Sequence, residues 1–358
     1  MDVKQPQSYN NSIVILYTEL AGYTVKCIEA LAEIYKTHVY IINYPINSDA
    51  PFQFDTTNKL ITYYNRKNFT KDSINELIQK VNPFLIYCAG WGDKEYLEVI
   101  KENKKKIPTL LGFDNKWTGS LKQRLSVIYA KINITPYFNY AFVPGKQQKT
   151  FAQKLGFKDK AIIEGAYSAD TAFFNALYEK NKENKQTKLP HRFIFVGRYV
   201  KEKGIEELWQ AFINIQNTKP NDWELWCLGV GKIVPIDHPK IKHFGFVQPA
   251  QLESYIQQSS VFILPSVFEP WGVVVHEYAA SGFPLLLSTE VGAGEQFLVD
   301  GNNGYFFKPG NVTAIQNAME KIISKSDVEI FQMAESSQKQ SQSISPASWA
   351  KSLYALKA

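Results

Sequence analysis

The chain has 358 residues, enough for two domains with full cores, and its 45% hydrophobic and 21% charged residues exclude disordered and fibrous proteins. Its three cysteines, Cys27, Cys88 and Cys227, are widely spaced and favour neither a disulfide framework nor a zinc cluster, which fits a reducing cytoplasm. The net charge of +6 is concentrated in residues 1–165, which hold 22 Lys or Arg and 15 Asp or Glu. No window approaches the roughly 20 apolar residues of a spanning helix, so we expect a soluble or peripherally attached protein.

The first half of the chain alternates short apolar runs with helical stretches, including a predicted helix from about Tyr23 to Tyr35. Such alternation predicts a parallel sheet covered by helices. The predicted strands are Ile13 to Tyr17, Val39 to Ile42, Leu60 to Tyr64, Phe84 to Tyr87, Pro108 to Gly112 and Ala141 to Pro144.

A second series of the same kind follows the Lys/Asn/Glu-rich stretch 179–188, with predicted helices over Gly204 to Gln216 and Pro249 to Gln258. Its predicted strands are Phe193 to Val196, Glu224 to Leu228, Lys242 to Phe246, Val261 to Leu264, Pro284 to Ser288 and Tyr305 to Phe307.

Two doubly wound α/β domains explain these two series, with a ligand cleft between them. We predict an N-terminal Rossmann-like domain over 1–168, a linker over 169–190 and a C-terminal Rossmann-like domain over 191–340. Residues 341–358 are predicted to form a helix that returns to the N-terminal domain. The Ser/Gln-rich stretch beyond about 335 is interpreted as a connector.

The basic first half indicates an anionic partner, such as a phospholipid surface or a phosphorylated acceptor, or else a solvated surface with no specific partner. Leu121, Leu125, Ile128 and Ile132 recur within it at helical spacing. This pattern favours an amphipathic helix that covers the sheet over one that lies on a membrane. The densest cations are Lys101, Lys104, Lys105, Lys106, Lys116, Lys122, Arg124 and Lys131.

The nine residues from Glu269 to Glu277 carry the most specific signal. They follow a predicted buried strand, and open α/β sheets bind ligands at the carboxyl ends of strands. Pro270 and Gly272 predict that a helix begins between them. Glu269 would then lie on the loop before the helix and Glu277 one or two turns inside it. Because free amides and the positive end of the helix dipole favour a phosphate, a ligand with a polyhydroxylated end and a diphosphate would suit this arrangement.

A second candidate site follows the predicted strand Phe193 to Val196, where Gly197 and Arg198 precede Lys203-Gly204 and the next helix. An Arg fork and a compact Lys charge at such a turn suit a diphosphate. They would neutralise the charge that grows as a phosphate departs. On this segment alone, two ordinary loop cations remain the alternative.

These residues together resemble a known family. Their order and spacing over roughly 190–310 are similar to those of the retaining glycosyltransferases of family 4, which have the GT-B fold. The resemblance implies a nucleoside diphosphate sugar as substrate, a UDP-sugar before a GDP-sugar, no cofactor, and an acceptor hydroxyl on a glycan or glycolipid held by the N-terminal domain. The matching residues are Val196-Gly-Arg198, Lys203-Gly204, Glu269, Glu277 and Gly301-Asn-Asn-Gly304.

The resemblance also implies a role for each matching residue. Arg198 and Lys203 would hold the donor diphosphate. Glu269 would contact the sugar hydroxyls, and Glu277 would hold the ribose. The implied reaction is a same-face displacement in which the leaving diphosphate helps to take the acceptor proton, so no enzymic nucleophile is needed. We expect Arg198, Lys203 and Glu269 to be catalytic, joined by Asp114. The other expected donor-binding residues are Gly22, Gly197, Phe246, Val247, Pro270, Trp271, Gly272 and Val273.

The N-terminal half departs from the family pattern. Only Gly22 carries over from the family's glycine-rich loop, and a helix-entry turn without a ligand is the alternative. Phe113 stands where the family often has a His. The following Asp114 would bind an acceptor hydroxyl, or would cap the helix or form a turn near Trp117. With Trp91 and Trp117, which would stack on a sugar ring or simply pack, Asp114 completes the expected acceptor site.

Other signals are weaker. His276 adjoins Glu277 without a partner at metal spacing, so we expect a helix histidine whose hydrogen bonds are satisfied. Gly229-Val-Gly231 is too short for a dinucleotide fingerprint. Asp-x-Asp does not occur in the sequence, so we expect no metal, and nothing indicates a nucleic-acid partner.

Two other functions remain as alternatives, and a third is set aside. A sugar-nucleotide epimerase of the same architecture would convert its donor without an acceptor. A non-catalytic binder of sugar nucleotides or glycans would tolerate loss of Arg198 and Lys203. A phosphorylase would need a pyridoxal phosphate lysine, which no motif identifies. We expect a cytoplasmic enzyme, peripheral at the membrane's cytoplasmic face, that serves surface polysaccharide, lipopolysaccharide or glycolipid assembly.

Overall fold

The computed structural model describes residues 10–45 and 57–357. The chain divides into two compact units. The first unit comprises Met1–Ser168 and Ser345–Ala358, and the second comprises Ala169–Ile344. Within the described residues, no helix is both long and apolar enough to cross a membrane.

The described part of the first unit is a parallel sheet flanked by helices. Its strands are β1 Ser12–Tyr17, β2 His38–Asn43, β3 Ile61–Asn65, β4 Leu85–Ala89, β5 Thr109–Gly112, β6 Tyr140–Val143 and β7 Ile162–Glu164. Its helices are α1 Gly22–Tyr35, α2 Lys71–Val81, α3 Lys94–Asn103, α4 Leu121–Asn133, α5 Lys146–Lys154 and α13 Pro346–Tyr354.

The strand order of this sheet is β3-β2-β1-β4-β5-β6-β7. The chain therefore runs outward from β1, returns to place β4 on its other side, and runs outward again. Side chains of β1 alternate between two cores, with Val14 and Leu16 on one face and Ile13 and Ile15 on the other. Both faces are buried because helices cover both sides of a doubly wound sheet.

Helix α13 closes the first unit. Its Trp349 is 2% exposed and donates its indole N–H to the backbone oxygen of Ala166 over 3.0 Å. Tyr354 stacks on Tyr35 of α1, with ring centroids 4.1 Å apart. The prediction that the C-terminal helix returns to the N-terminal domain is confirmed.

The second unit repeats the arrangement. Its strands are β8 Arg192–Val196, β9 Glu224–Leu228, β10 Ile241–His243, β11 Val261–Leu264, β12 Leu285–Ser288 and β13 Gly304–Phe307. Its helices are α6 Thr171–Thr187, α7 Ile205–Thr218, α8 Glu253–Gln258, α9 Val273–Ala280, α10 Gly294–Phe297, α11 Val312–Ile323 and α12 Asp327–Ser341. The strands are parallel, in the order β10-β9-β8-β11-β12-β13.

Two stretches are helical where the sequence predicts connectors. Residues 169–190, predicted as a linker, are mostly α6 and belong to the second unit. The polar composition conceals α6, because its buried face includes Asn181 and Lys185 beside Phe174. The Ser/Gln-rich stretch from 335 lies in α12, where Ser337 is buried and hydrogen-bonded to the amide of Asn303 at 3.1 Å.

Candidate active site

The candidate site of the second unit lies where the order of strand addition reverses. The chain fills β8, β9 and β10 on one side, then returns to place β11 against the other side of β8. Loops that leave two such neighbouring strands separate at their carboxyl ends, and doubly wound sheets bind ligands there. The predicted cations follow β8, and Glu269 follows β11.

The turn after β8 is fixed against the loop after β11. Gly204 has φ +64°, and a Cβ at this position would lie 2.4 Å from the backbone oxygen of Pro265. Only glycine allows both the left-handed backbone and this close approach. Two backbone N–H groups, from Val267 and Phe268, donate to the oxygen of Glu202 at 2.9 and 3.3 Å. These contacts hold Lys203, which lies between Glu202 and Gly204, beside the end of β11.

Lys203 and Glu269 meet directly. The Lys203 ammonium donates to the Glu269 carboxylate, and their side chains are 18% and 13% exposed. A largely desolvated ion pair offers both a cation and a carboxylate at one point. The structure thus brings together two of the residues that the sequence predicts to be catalytic.

A second loop supports the Glu269 segment from behind. The N–H of Gly292 donates to the Glu269 oxygen at 3.1 Å, and the N–H of Ala293 donates to the Trp271 oxygen at 2.8 Å. A Cβ at Gly292 would lie 2.0 Å from the oxygen of Pro270, so a larger residue would push the two loops apart. Trp271 is 2% exposed, and its side chain belongs to the core. Only the backbone of Trp271 is therefore suited to meet a ligand, as the resemblance implies.

Helix α9 begins at Val273, directly after the stretch between Pro270 and Gly272 in which the sequence predicts its start. Gly272 has φ +93° and precedes the first helical residue, Val273. No Asp or Glu occupies the first turn of α9, so its own carboxylates do not neutralise the positive end of the helix dipole. Glu269 is near this end, because a Cβ added to Gly272 would lie 3.0 Å from Glu269 Cγ.

Glu277 lies on the second turn of α9. Burial raises the pKa of its carboxyl to about 7, and the negative charge of Asp170 adds to the rise. The side chain still keeps partial exposure to solvent. A carboxyl in this state changes its charge near neutral pH, which makes its protonation sensitive to any ligand that bonds to it.

Arg198 is exposed at the carboxyl end of β8 and has no ion pair with another described residue. Two glycines after β9, Gly229 and Gly231, let the backbone beside Arg198 lie close to the end of that strand. A Cβ at Gly229 would lie 1.9 Å from the Gly197 oxygen, and one at Gly231 would lie 2.3 Å from the Tyr199 oxygen. Sequence reasoning set this glycine pair aside as an incomplete dinucleotide fingerprint. Its function is instead to let two strand ends approach each other.

Phe246 and Val247 follow β10 and are half-buried. The N–H of Gly229 donates to the oxygen of Gly245 at 2.6 Å, so this loop continues the edge formed by the ends of β8 and β9. The position is compatible with contact to a base at the far end of an extended ligand.

His276 is structural, as the sequence predicts. Its Nδ1 accepts from the Ala169 N–H at 3.0 Å, and its Nε2 faces the Ser341 oxygen at 2.9 Å. Burial lowers the pKa of the imidazole to about 4, so the ring is neutral and Nε2 is the donor. The ring also stacks on Phe297, with centroids 4.2 Å apart. No cluster of three His, Cys, Asp or Glu side chains suited to a metal occurs in residues 10–45 and 57–357.

The first unit places its candidates at the carboxyl edge of its own sheet. Gly22 follows β1, Trp91 follows β4 and Asp114 follows β5. A Cβ at Gly22 would meet no described atom within 4 Å, and its φ is not positive. Neither packing nor backbone conformation therefore requires a glycine at this position.

Asp114 is not the cap of helix α4. The helix begins at Leu121, and the Ser120 hydroxyl accepts from the N–H of Gln123 at 3.3 Å. Asp114 lies instead among tyrosines. Burial raises the pKa of the Tyr17 hydroxyl to about 12, and the charge of Asp114 adds to this rise. The helix-cap alternative for Asp114 is wrong.

The aromatic residues near Asp114 pack on one another. Phe113 is 6% exposed, and its ring centroid lies 5.3 Å from that of Trp91 and 5.8 Å from that of Phe151. Trp117 stacks on the same Phe151 at 6.2 Å, and the Lys154 ammonium lies 4.7 Å above its ring. This aromatic group explains why an apolar residue occupies position 113.

Comparison with known proteins gives a consistent result. Residues 190–325 match the family described as Glycosyl transferases group 1. The chain is 29% identical over 141 residues to an uncharacterized glycosyltransferase of Methanocaldococcus jannaschii. This match covers 37% of this chain and 35% of that protein. The chain is also 24% identical over 210 residues to the alpha-monoglucosyldiacylglycerol synthase of Acholeplasma laidlawii. This match covers 56% of this chain and 45% of that enzyme.

A solved structure matches over almost the whole chain. The crystal structure of Anabaena HepE in complex with UDP and glucose has a TM-score of 0.68 at 15% identity, and covers 96% of this chain and 98% of HepE. With its two parallel Rossmann-like sheets and a C-terminal helix on the first, the protein has the GT-B fold, which confirms the predicted fold class. The match to the two curated relatives spans less than half of their lengths, 35% and 45%.

Proposed function

We propose that the protein is a retaining, metal-independent glycosyltransferase. It moves a sugar from a nucleoside diphosphate sugar, with a UDP-sugar favoured over a GDP-sugar, to a hydroxyl of a glycan or glycolipid acceptor. The match of residues 190–325 to a glycosyltransferase family supports this reaction class. The UDP and glucose in the crystal structure of HepE support the class of donor.

The observation that carries the proposal is the direct contact between Lys203 and Glu269. In a nucleoside diphosphate sugar, a single oxygen joins the sugar to the phosphate. A residue that reads the sugar hydroxyls and a residue that neutralises the phosphate must therefore be immediate neighbours. The ion pair satisfies this requirement, with Glu269 toward the sugar and Lys203 toward the phosphate.

The remaining donor contacts follow from the same edge. Arg198 supplies a second, exposed cation, and the amides at the start of α9 supply uncharged donors to the diphosphate. Glu277 on α9 bonds the ribose hydroxyls. Phe246 and Val247 lie after β10 and flank the base.

The cations and the helix dipole at this edge act by stabilising charge. As the bond between sugar and phosphate breaks, negative charge grows on the leaving diphosphate, and Lys203, Arg198 and the α9 dipole stabilise it. The departing phosphate oxygen then takes the proton of the attacking hydroxyl on the same face of the sugar. Glu269 orients the sugar and is held by Lys203, so it does not act as a nucleophile.

The acceptor is assigned to the first unit. Asp114 bonds the acceptor hydroxyl, and the absent side chain at Gly22 lets a ligand approach the start of α1. We expect the enzyme to act in the cytoplasm, peripherally at the membrane, in surface polysaccharide, lipopolysaccharide or glycolipid assembly. The similarity to the alpha-monoglucosyldiacylglycerol synthase of Acholeplasma laidlawii supports a lipid-linked acceptor.

A thermal-shift panel tests the donor class. UDP, GDP and ADP and their common sugars are each added to the protein, and its melting temperature is measured. We expect UDP and one UDP-sugar to raise the melting temperature, because a ligand that binds only the folded state stabilises it. Protection by GDP alone would overturn the choice of base, and no shift with any nucleotide would overturn the proposed donor site.

The affinity for a UDP-sugar should depend on pH through Glu277. The ribose hydroxyls donate to the ionised carboxylate, whose pKa of about 7 in the free protein leaves it mostly protonated at pH 6. We expect the affinity for UDP-glucose, measured by calorimetry, to be up to about 10-fold weaker at pH 6 than at pH 8. Glu277→Gln should bind more weakly at pH 8 and show little change between the two values. An unchanged pH dependence in the variant would remove Glu277 from the ribose site.

The same raised pKa affects stability. The folded protein takes up a proton that the unfolded chain, with the ordinary carboxyl pKa of 4.5, has already lost. The contribution of Glu277 to the free energy of unfolding is thus fully present below about pH 4.5 and lost as the pH rises through about 7. The melting temperatures of the wild type and Glu277→Gln are compared at each pH. They show how much of a pH effect in the binding experiment comes from this change in stability.

Sugar-nucleotide epimerisation is the alternative from another reaction class. An epimerase would convert the donor when no acceptor is present. Incubation of the protein with a binding donor alone, followed by analysis for a new sugar isomer, distinguishes the two functions.

A further inference from the structure

Helix α4 of the first unit presents a large apolar surface to solvent. The sequence favours an amphipathic helix whose leucines and isoleucines cover the sheet, and the structure contradicts this orientation. Val127 and Ala130 are the buried residues of α4. The exposed fractions of the large apolar residues range from 60% to 78%. These residues, the α4 apolar stripe, are Leu121, Leu125, Ile128, Tyr129 and Ile132.

The α4 apolar stripe occupies one side of the helix. At about 100° per residue, its five side chains fall within an arc of about 100°. Val127 and Ala130 lie on the opposite side, where they enter the core of the first unit. The helix therefore has two apolar faces. Only the inner face packs in the core, so burial within the unit does not account for the outer one.

Cations border the stripe on both sides. By the same geometry, Lys122 lies at one edge, and Arg124 and Lys131 lie at the other. All three are exposed, and the sequence of α4 contains no Asp or Glu. Lysine and arginine stems can lie along an apolar surface while their charges reach toward anions.

Further cations surround the end of α4. A surface cavity of about 640 Å³ is lined by Lys131 together with Lys158 and Lys160. Lys101 of α3 lies over the ring of Tyr137, with 5.4 Å between the ammonium and the ring centroid, in the turn that follows α4. The basic region thus extends beyond the helix.

The acidic groups of this region have cationic partners. Asp159, between the two lysines of the cavity, lies 3.5 Å from the Lys149 ammonium. Glu102 at the end of α3 is paired with Lys71 at 2.9 Å. These two carboxylates are thus paired with lysines other than the cations that border the stripe.

We propose that the α4 apolar stripe docks onto the surface of an anionic lipid bilayer. The helix lies in the plane of the interface, with its apolar side chains among the upper acyl chains and its flanking cations at the lipid phosphates. None of these residues belongs to the donor site, so the proposal stands without the proposed function. A second copy of the chain fits less well, because two such faces would bring the same cations against each other.

Vesicle co-sedimentation of the full chain tests this proposal. We compare vesicles of phosphatidylcholine alone with vesicles that carry phosphatidylglycerol as well. We expect binding only to the anionic vesicles, with a loss at high salt, because screening weakens attraction at an exposed surface.

Two sets of variants separate the apolar from the charged contribution. Leu125→Gln with Ile128→Gln should weaken binding at least about 10-fold, since both side chains leave water at the interface. Charge removal at Lys122, Arg124 and Lys131, each changed to Gln, should weaken it by roughly 100-fold, or about fivefold per cation. The matched control is Ile34→Gln with Val328→Gln, which alters two apolar residues that are 53% and 66% exposed elsewhere. This control should bind as the wild type does, and melting temperatures show that all variants are folded.

Two results would overturn the proposal: failure of the wild type to bind anionic vesicles, or wild-type binding by the double Gln variant of α4. If the wild type fails to bind vesicles but self-associates in analytical ultracentrifugation, and the double variant abolishes this association, the stripe is assigned to a second copy of the chain. Each readout is independent of sugar transfer, so failure here would remove the proposed peripheral location at the membrane and leave the proposed sugar transfer untouched.

Discussion

Lys203→Ala is expected to lower the turnover of sugar transfer by about 10²- to 10³-fold at saturating donor. The reason is the position of its ammonium, which contacts Glu269 and lies among loops that converge on the carboxyl ends of β8 and β11. If the leaving diphosphate lies there, its growing charge loses the nearest compensating cation. Loss of a group that acts mainly in the transition state lowers turnover more than donor affinity.

The experiment requires a donor identified by the thermal-shift panel and an acceptor that supports transfer. Lys201→Ala is the matched control, because Lys201 is an exposed lysine two residues earlier in the same short turn. We expect it to retain the wild-type rate. Arg198→Ala should also lower turnover, and Glu269→Ala should affect sugar recognition as well. A wild-type rate for Lys203→Ala would remove Lys203 from the chemistry.

The substitution also leaves the partly buried Glu269 carboxylate without its cation, so structural damage must be separated from the chemical effect. Lys203→Met keeps most of the side-chain volume without the charge. If the two variants melt like the wild type and lose activity equally, the charge is responsible. If only the alanine variant melts early, its loss of activity reports disorder of the turn.

Much of the fold could be predicted because local pattern and final environment agree. The runs Glu224 to Leu228 and Val261 to Leu264 are strands with the predicted bounds, since continuous apolar runs suit strands that helices cover on both faces. Strand β7 was missed, as only Ile162 of its three residues is buried. Edge strands need fewer apolar residues, so they give a weaker pattern.

The helices α6 and α12 show where sequence patterns mislead. Both place polar residues on their buried side, and some of these residues contact positions far away in sequence. The Lys185 ammonium of α6 lies 4.0 Å from the ring centroid of Phe283. Ser337 of α12, for example, bonds to Asn303, which is 34 positions earlier. A pattern that counts apolar residues cannot register such a partner.

The candidate site was predictable in its residue types but not in its contacts. Pro270 and Gly272 indicated the start of α9, because their backbone preferences are local. The ion pair of Lys203 with Glu269 joins residues 66 positions apart, and it depends on how β8 and β11 pair in the sheet. The predicted orientation of α4 was wrong for a related reason. Its spacing defines a stripe, but which side of the helix meets the core depends on its neighbours.

Removal of the Trp349 side chain is expected to have the largest effect on stability. Trp349 lies in α13, yet its indole contacts the core of the first unit, with ring centroids 5.9 Å from Phe142 and 6.5 Å from Tyr87. Replacement of a buried Trp by Ala typically costs about 3–5 kcal/mol of the free energy of unfolding. Here the loss includes the hydrogen bond to the oxygen of Ala166.

Because the first unit has a core of its own, Trp349→Ala should act on this unit selectively. Hydrogen exchange measured by mass spectrometry should show faster exchange in β1 and β4, whereas β8 and β11 keep their wild-type protection. Urea unfolding should show a first transition at lower concentration than in the wild type. Trp349→Phe, which keeps an aromatic ring, should lose less, and Lys351→Ala, at an exposed position of the same helix, should lose almost nothing. Uniform acceleration of exchange in both sheets would show that the two units do not unfold independently. Wild-type protection of β1 and β4 would show that α13 contributes little to the first core.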